Sequence, residues 1–143
     1  MNDKTLSSIY LPLKITFGLV PIVAGLDKFF GFLTDWKAYL SPQITSALPF
    51  SPDVMMGVVG IIEIVVGLAI LTRFTRIGAY VASVWLVLIA ANLILAGVVD
   101  VAVRDIVMAV AAFALGRTAA LRHASLIHEP LERNDDATHA AHA

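Results

Sequence analysis

The chain has 143 residues, 59% of them hydrophobic, with a formal net charge of −1 and a mean hydropathy of +0.85. So apolar a chain cannot cover a core with polar surface in water, and its near-neutral charge gives nucleic acid no footing. There is no cysteine, which excludes disulfides, thiolate catalysis and cysteine-ligated zinc or iron–sulfur sites.

Met1-Asn2-Asp3-Lys4 does not read as a secretory signal. The apolar stretch behind it is too long and lacks a small-x-small cleavage site, so it is expected to stay in the mature protein. A spanning helix needs roughly 20 apolar residues. The first such stretch covers residues 9–32, with Lys14 near one end, Asp27-Lys28 near the other and Pro21 inside as an expected kink. Residues 34–40 predict a short interfacial helix stopped at Ser41-Pro42. Its Trp36 and Tyr39 suit the headgroup zone as anchors, and a lid over a pocket is the sharper alternative.

The second span, residues 53–72, opens on Ser51-Pro52-Asp53: an N-cap, a first-turn proline and a first-turn acid. Past that opening its only charge is Glu63. Arg73 and Arg76 bracket a turn so short that the third span, residues 76–99, must run antiparallel beside the second. That span holds Trp85, read as packing, and Asn92. The fourth, residues 101–121, follows Asp100 as its expected cap and carries Arg104-Asp105 early and Arg117 late.

The predicted fold is all-α: a transmembrane four-helix bundle over residues 1–122, followed by a polar tail over residues 123–143. Lys4, Arg73, Arg76, Arg117, Arg122 and Arg133 fall on one side, against Lys28, Lys37 and Arg104 on the other. The excess places both termini in the cytoplasm. His139-x-x-His142 in the tail lacks supporting carboxylates or cysteines, so no metal site is expected. No histidine lies within a span to hold haem.

An ionisable group at the bilayer centre costs about 2.5–3.5 kcal/mol on insertion scales. Such a group persists where it faces protein. Glu63 shares a helix face with Gly60 and Gly67, which lets a neighbouring helix come close. It therefore points inward and needs a proton or a cation. The candidate cation comes from the fourth helix as Arg104, which can reach across the bundle or snorkel outward. Asp105 lies on a face with Met108, Ala109, Ala112 and Gly116 and also points inward. Asp27, Lys28, Asn92, Arg104 and Asp105 stand at similar depth on three helices, above Glu63 as a floor. Together they describe an outward-facing polar pocket, with Glu63 and Asp105 as proton-exchanging groups and Lys28, Asn92, Arg104 and Asp27 as ligand-binding groups. The plainer reading makes Asp27, Lys28, Arg104 and Asp105 helix-end charges, and Asn92 an interhelical hydrogen bond.

Gly25-Leu26-Asp27-Lys28-Phe29, then Gly60 to Leu68 with its Glu-x-x-x-Gly-Leu run, Arg73 and Arg76 at the turn, and Arg104-Asp105 form an ordered set. In that order the chain resembles the DoxX-like family of small four-helix bacterial membrane proteins. The resemblance implies a four-helix bundle in a bacterial inner membrane and an association with redox chemistry. Some members are subunits of a thiosulfate:quinone oxidoreductase. It points to Lys28, Glu63, Arg104 and Asp105 as the positions to test. The expected function is a redox-associated, quinone-linked membrane subunit, with the bilayer, a larger membrane or redox complex, or copies of itself as partners. The alternatives are an assembly subunit without its own chemistry and a small-solute transporter.

Overall fold

The apolar runs do become helices. The computed structural model describes residues 3–141, with side chains over residues 6–124. Helix α1 spans Asp3–Phe30 and continues through Pro12 and Pro21. A single 3₁₀ turn, Trp36–Tyr39, and a short helix α2, Pro42–Ala47, form the long loop. Helices α3 (Pro52–Leu71), α4 (Thr75–Leu95) and α5 (Val99–Ala141) follow. Thus α1, α3, α4 and α5 make an all-α membrane bundle of four helices. One end holds the long loop and the α4–α5 connection (the loop end); the other holds the α3–α4 connection (the turn end).

Local chemistry sets the boundaries. Ser51 accepts from the Val54 N–H, and Pro52 and Asp53 follow in the first turn of α3, as the sequence predicts. Ser41 caps α2 through the Ile44 N–H, so Ser41-Pro42 starts a helix where it was expected only to stop one. Gly97, at φ 80°, closes α4, with its N–H bonded to the Ile94 carbonyl and the Val98 N–H to that of Leu93. The chain turns two residues earlier than predicted, so Asp100 sits inside the first turn of α5. Helix α5 extends over the stretch expected as a polar tail. The side chains of His128 and His139, and all of His142, lie outside the described residues.

Burial is inverted relative to a protein in water. The core is small: Ala79, Ala82, Ala112 and Leu115 pack with Val66 and Ile70, and a second cluster holds Ala90, Leu93 and Ala102. Large side chains such as Ile61, Val65, Val84, Val107 and Val110 are exposed along the flanks. Small residues inside let helices approach, and large apolar ones outside meet acyl chains. Leu6–Phe30, Pro52–Leu71 and Thr75–Leu95 are each long and apolar enough to cross a bilayer. The bundle is built from two extensive pairs, α1 on α3 and α4 on α5, joined more sparsely.

Candidate functional site: a buried ion pair under a tryptophan

Glycines on α1 and α3 fix the site's geometry. Gly18 and Gly25 on α1 face Gly67 and Gly60 on α3, each pair spaced by about two turns. A methyl at Gly25 would meet the Gly60 carbonyl oxygen at 2.5 Å, and one at Gly60 would meet that of Gly25 at 2.7 Å. Only backbone against backbone fits there. The close approach carries Lys28 onto α3, where its Nζ donates to Glu63 Oε2 at 2.6 Å. Their side chains are 4% and 12% exposed. The expectation that Glu63 faces a neighbour across small residues is met, but the cation comes from α1 and not from Arg104.

The end of α1 then folds back over this pair. Gly31 adopts φ 67° and donates its N–H to the Asp27 carbonyl, a left-handed stop that only glycine takes easily. The turn aims the next amides at the Asp27 carboxylate, which accepts from Phe32 N–H at 2.9 Å and Leu33 N–H at 3.1 Å. The Trp36 indole N–H donates to the same carboxylate at 2.8 Å. So held, the Trp36 ring lies over Lys28, with Nζ 3.8 Å from its centroid. The Trp36 ring thus covers Lys28 from the loop side.

Asp105 enters from α5 and is 7% exposed. Its carboxylate accepts no hydrogen bond among the described residues. Asn92 holds the loop down: its Nδ2 donates to the Tyr39 carbonyl at 2.7 Å, and its Oδ1 accepts from the Ser41 N–H at 2.9 Å. Both ends of that amide are spent on backbone. Arg104 is exposed and makes no hydrogen bond or ion pair among the described residues. On α5, Asp105, Ala109, Ala112 and Gly116 are buried as expected, while Met108 is 38% exposed.

Above Lys28 a cavity of about 370 Å³ opens between the end of α1, the 3₁₀ turn and the start of α3. Phe29, Phe30, Trp36 and Met56 supply its apolar wall, and Lys28, Thr34 and Asp35 are among its polar lining. Lys37 and Asp53 bridge its rim at 2.8 Å. That bond and the Asp53 charge raise the Lys37 pKa above the ordinary lysine value.

Three of the six residues read from the sequence therefore come together under Trp36 as one cluster: Asp27, Lys28 and Glu63. Asn92 supports the cluster's loop, and Arg104 stands outside it. Trp36 had only an aromatic's preference for the membrane interface as its signal, and its bond to Asp27 across a left-handed turn left no trace in spacing.

The sequence pattern that defines the DoxX family matches residues 9–97, which contain α1 from residue 9 onward, the loop, α3 and α4. No curated protein and no solved structure matches the chain.

Proposed function

The chain belongs to the DoxX family, and we propose that this small integral membrane protein acts as a quinone-linked subunit of a membrane redox system. The observation that carries the reading is the Lys28–Glu63 pair beneath Trp36, with Lys28 in the lining of a cavity that Phe29, Phe30 and Trp36 also wall. About 370 Å³ falls in the range of small-ligand pockets. Flat rings beside the Lys28 ammonium, with Lys37 held by Asp53 at the rim, suit a planar, amphipathic quinone head, whose isoprenoid tail would leave between helices into lipid.

A bound quinone would supply the redox step, in which its carbonyl oxygens take up protons with the electrons they receive from a partner subunit. Lys28 orients the head by donating from Nζ to a carbonyl oxygen, and the Trp36 face holds the ring and keeps water out. Glu63 and Asp105 hold the protons at that depth. In this reading the loop end faces outward and both termini lie in the cytoplasm of a bacterial inner membrane, an orientation that the Lys and Arg bias supports.

Binding of a short-tailed quinone to the full chain in lipid nanodiscs tests this. The expected result is saturable binding that weakens by about tenfold, roughly 1.4 kcal/mol, on Trp36→Ala or Glu63→Gln. No binding, or binding indifferent to both changes, eliminates the quinone site.

A second reading, an assembly subunit without its own chemistry, draws on the loop end's exposed apolar surface. Phe30 and Phe32 stack at 6.1 Å, and Phe32 is 88% exposed. Under that reading a larger complex co-purifies from native membrane and keeps its activity with Glu63→Gln.

A further inference from the structure

Charge is distributed unevenly along the bundle. Among the described side chains, every Asp and Glu lies between the middle of α3 and the loop end, whereas Lys14, Arg73, Arg76, Arg117 and Arg122 gather toward the turn end. Lys14 is bonded to the Thr72 carbonyl, and Arg73 and Arg122 stand over the rings of Phe74 and Tyr10. Arg76 and Arg117 are exposed and make no hydrogen bond or ion pair among the described residues. Packing brings these two to one flank. The Tyr80 ring of α4 lies on Gly116 of α5, where a methyl would meet it at 2.9 Å, and its centroid is 5.6 Å from that of Phe113. Arg76 precedes Tyr80 by four residues, and Arg117 follows Phe113 by four. The two helices run antiparallel, so each arginine continues the row of its ring, about 6 Å nearer the turn end. On the other side of Tyr80, an open groove of about 340 Å³ follows the α4 flank, lined by Tyr80, Val81, Val84, Trp85 and Leu88. It runs about 12 Å along the helix, most of the roughly 15 Å of hydrocarbon in one leaflet.

We propose that the α4–α5 flank at the turn end binds one anionic phospholipid, its phosphate between Arg76 and Arg117 and an acyl chain in the groove below Tyr80. Two guanidiniums on adjoining rows, with no acid at their level among the described side chains, repel one another unless an anion joins them. Their planar forks match phosphate oxygens. Inorganic phosphate would satisfy the arginines and leave the groove unused. A choline lipid would fill the groove but bring a cation of its own to the arginines. An anionic phospholipid meets both halves, because its charge and its chain are spaced as the arginines and the groove are. The site lies at the opposite end of the bundle from the cavity over Lys28 and is independent of which guest that cavity takes.

Native mass spectrometry of the full chain, released from nanodiscs of equal phosphatidylglycerol and phosphatidylcholine, tests it. The wild type is expected to retain one phosphatidylglycerol, enriched about tenfold over phosphatidylcholine. Arg76→Gln or Arg117→Gln should each lower that ratio by about fivefold. Arg73→Gln, which removes the same charge from the same end but from outside these two rows, should leave it unchanged. Quenching locates the chain: in Trp36→Phe, where Trp85 is the one remaining tryptophan, phosphatidylglycerol with brominated chains should quench more strongly than brominated phosphatidylcholine. A wild type without the preference overturns the proposal. So does an equal fall on Arg73→Gln, which marks attraction to bulk charge. Retention of inorganic phosphate in place of lipid, or equal quenching by the two brominated lipids, overturns it as well. Should a variant not fold, the wild-type ratio still decides.

Discussion

Two lysines on α1, about four turns apart and on nearly the same face, meet different surroundings. Lys14 lies at the turn end, half-exposed, and donates at 3.1 Å to the carbonyl of Thr72, the residue that caps the end of α3. Its neighbours are of the same kind. The Tyr10 hydroxyl donates to Thr75 Oγ1, which itself donates to the Ile70 carbonyl. At the loop end, Lys28 is enclosed and takes a carboxylate from α3. The turn end thus satisfies these polar groups with backbone that a tight turn leaves free anyway. The loop end has to bring charged side chains from two helices and hold them there. Charge alone does not mark a site; what matters is whether the partner is a group every helix end provides or one placed there by packing.

The largest expected effect breaks that contrast outright. Lys28→Met strands Glu63 without its cation and should destabilise the bundle by about 3–5 kcal/mol at neutral pH. Lys14→Met, losing a partly exposed bond to a carbonyl, should cost about 0–1 kcal/mol. Unfolding of both variants in mixed micelles compares them, and equal losses would show the two ends to be alike. Next comes the glycine seam. Gly25→Ala or Gly60→Ala forces a methyl against a carbonyl oxygen and should cost about 1–3 kcal/mol. It should also lengthen the Lys28–Glu63 contact, readable as weaker quinone binding. Gly57 is the control on the same helix: its methyl would meet only the Phe29 ring, at an ordinary 3.7 Å. Asn92→Ala should cost about 1–3 kcal/mol by leaving loop backbone unpaired, with faster amide exchange at Ser41 than at Thr75.

These cases also mark how far the sequence could be read. A helix's own period says which of its residues share a face, so Glu63 with Gly60 and Gly67, and Asp105 with Ala109 and Ala112, were legible as inward-facing. So was the start of α3 at Ser51-Pro52-Asp53, because a cap is local chemistry. Which helix faces which, and at what rotation, is set by packing between segments far apart in the chain. That is why Arg104, next to an inward-facing residue but about 100° round the helix, was assigned a role that Lys28 fills. The Gly18–Gly67 and Gly25–Gly60 contacts settle the matter, and a glycine face on one helix says that a neighbour comes close without saying which one. Trp36 was hidden for a related reason: its position depends on the left-handed turn at Gly31, beyond which periodicity says nothing.

The smallest expected effect concerns the one ion pair at this end that resembles the turn end's chemistry. Lys37 and Asp53 meet at 2.8 Å across the cavity rim, but their side chains are 49% and 76% exposed. Water and salt should screen most of their attraction. Because Asp53 raises the Lys37 pKa, the pair stabilises the fold below the ordinary lysine value, and that contribution disappears as pH rises through the raised one. Asp53 also lies in the first turn of α3, where an acid is favoured by the helix dipole. Lys37→Met removes the pair and leaves the dipole interaction, whereas Asp53→Asn removes both. Thermal midpoints should therefore fall slightly more for Asp53→Asn than for Lys37→Met. The Lys37→Met shift should vanish in high salt and at strongly alkaline pH. A salt-resistant loss on Lys37→Met as large as that of Asn92→Ala would mean that the rim is fastened by this bridge, and that exposure does not separate the two kinds of lysine.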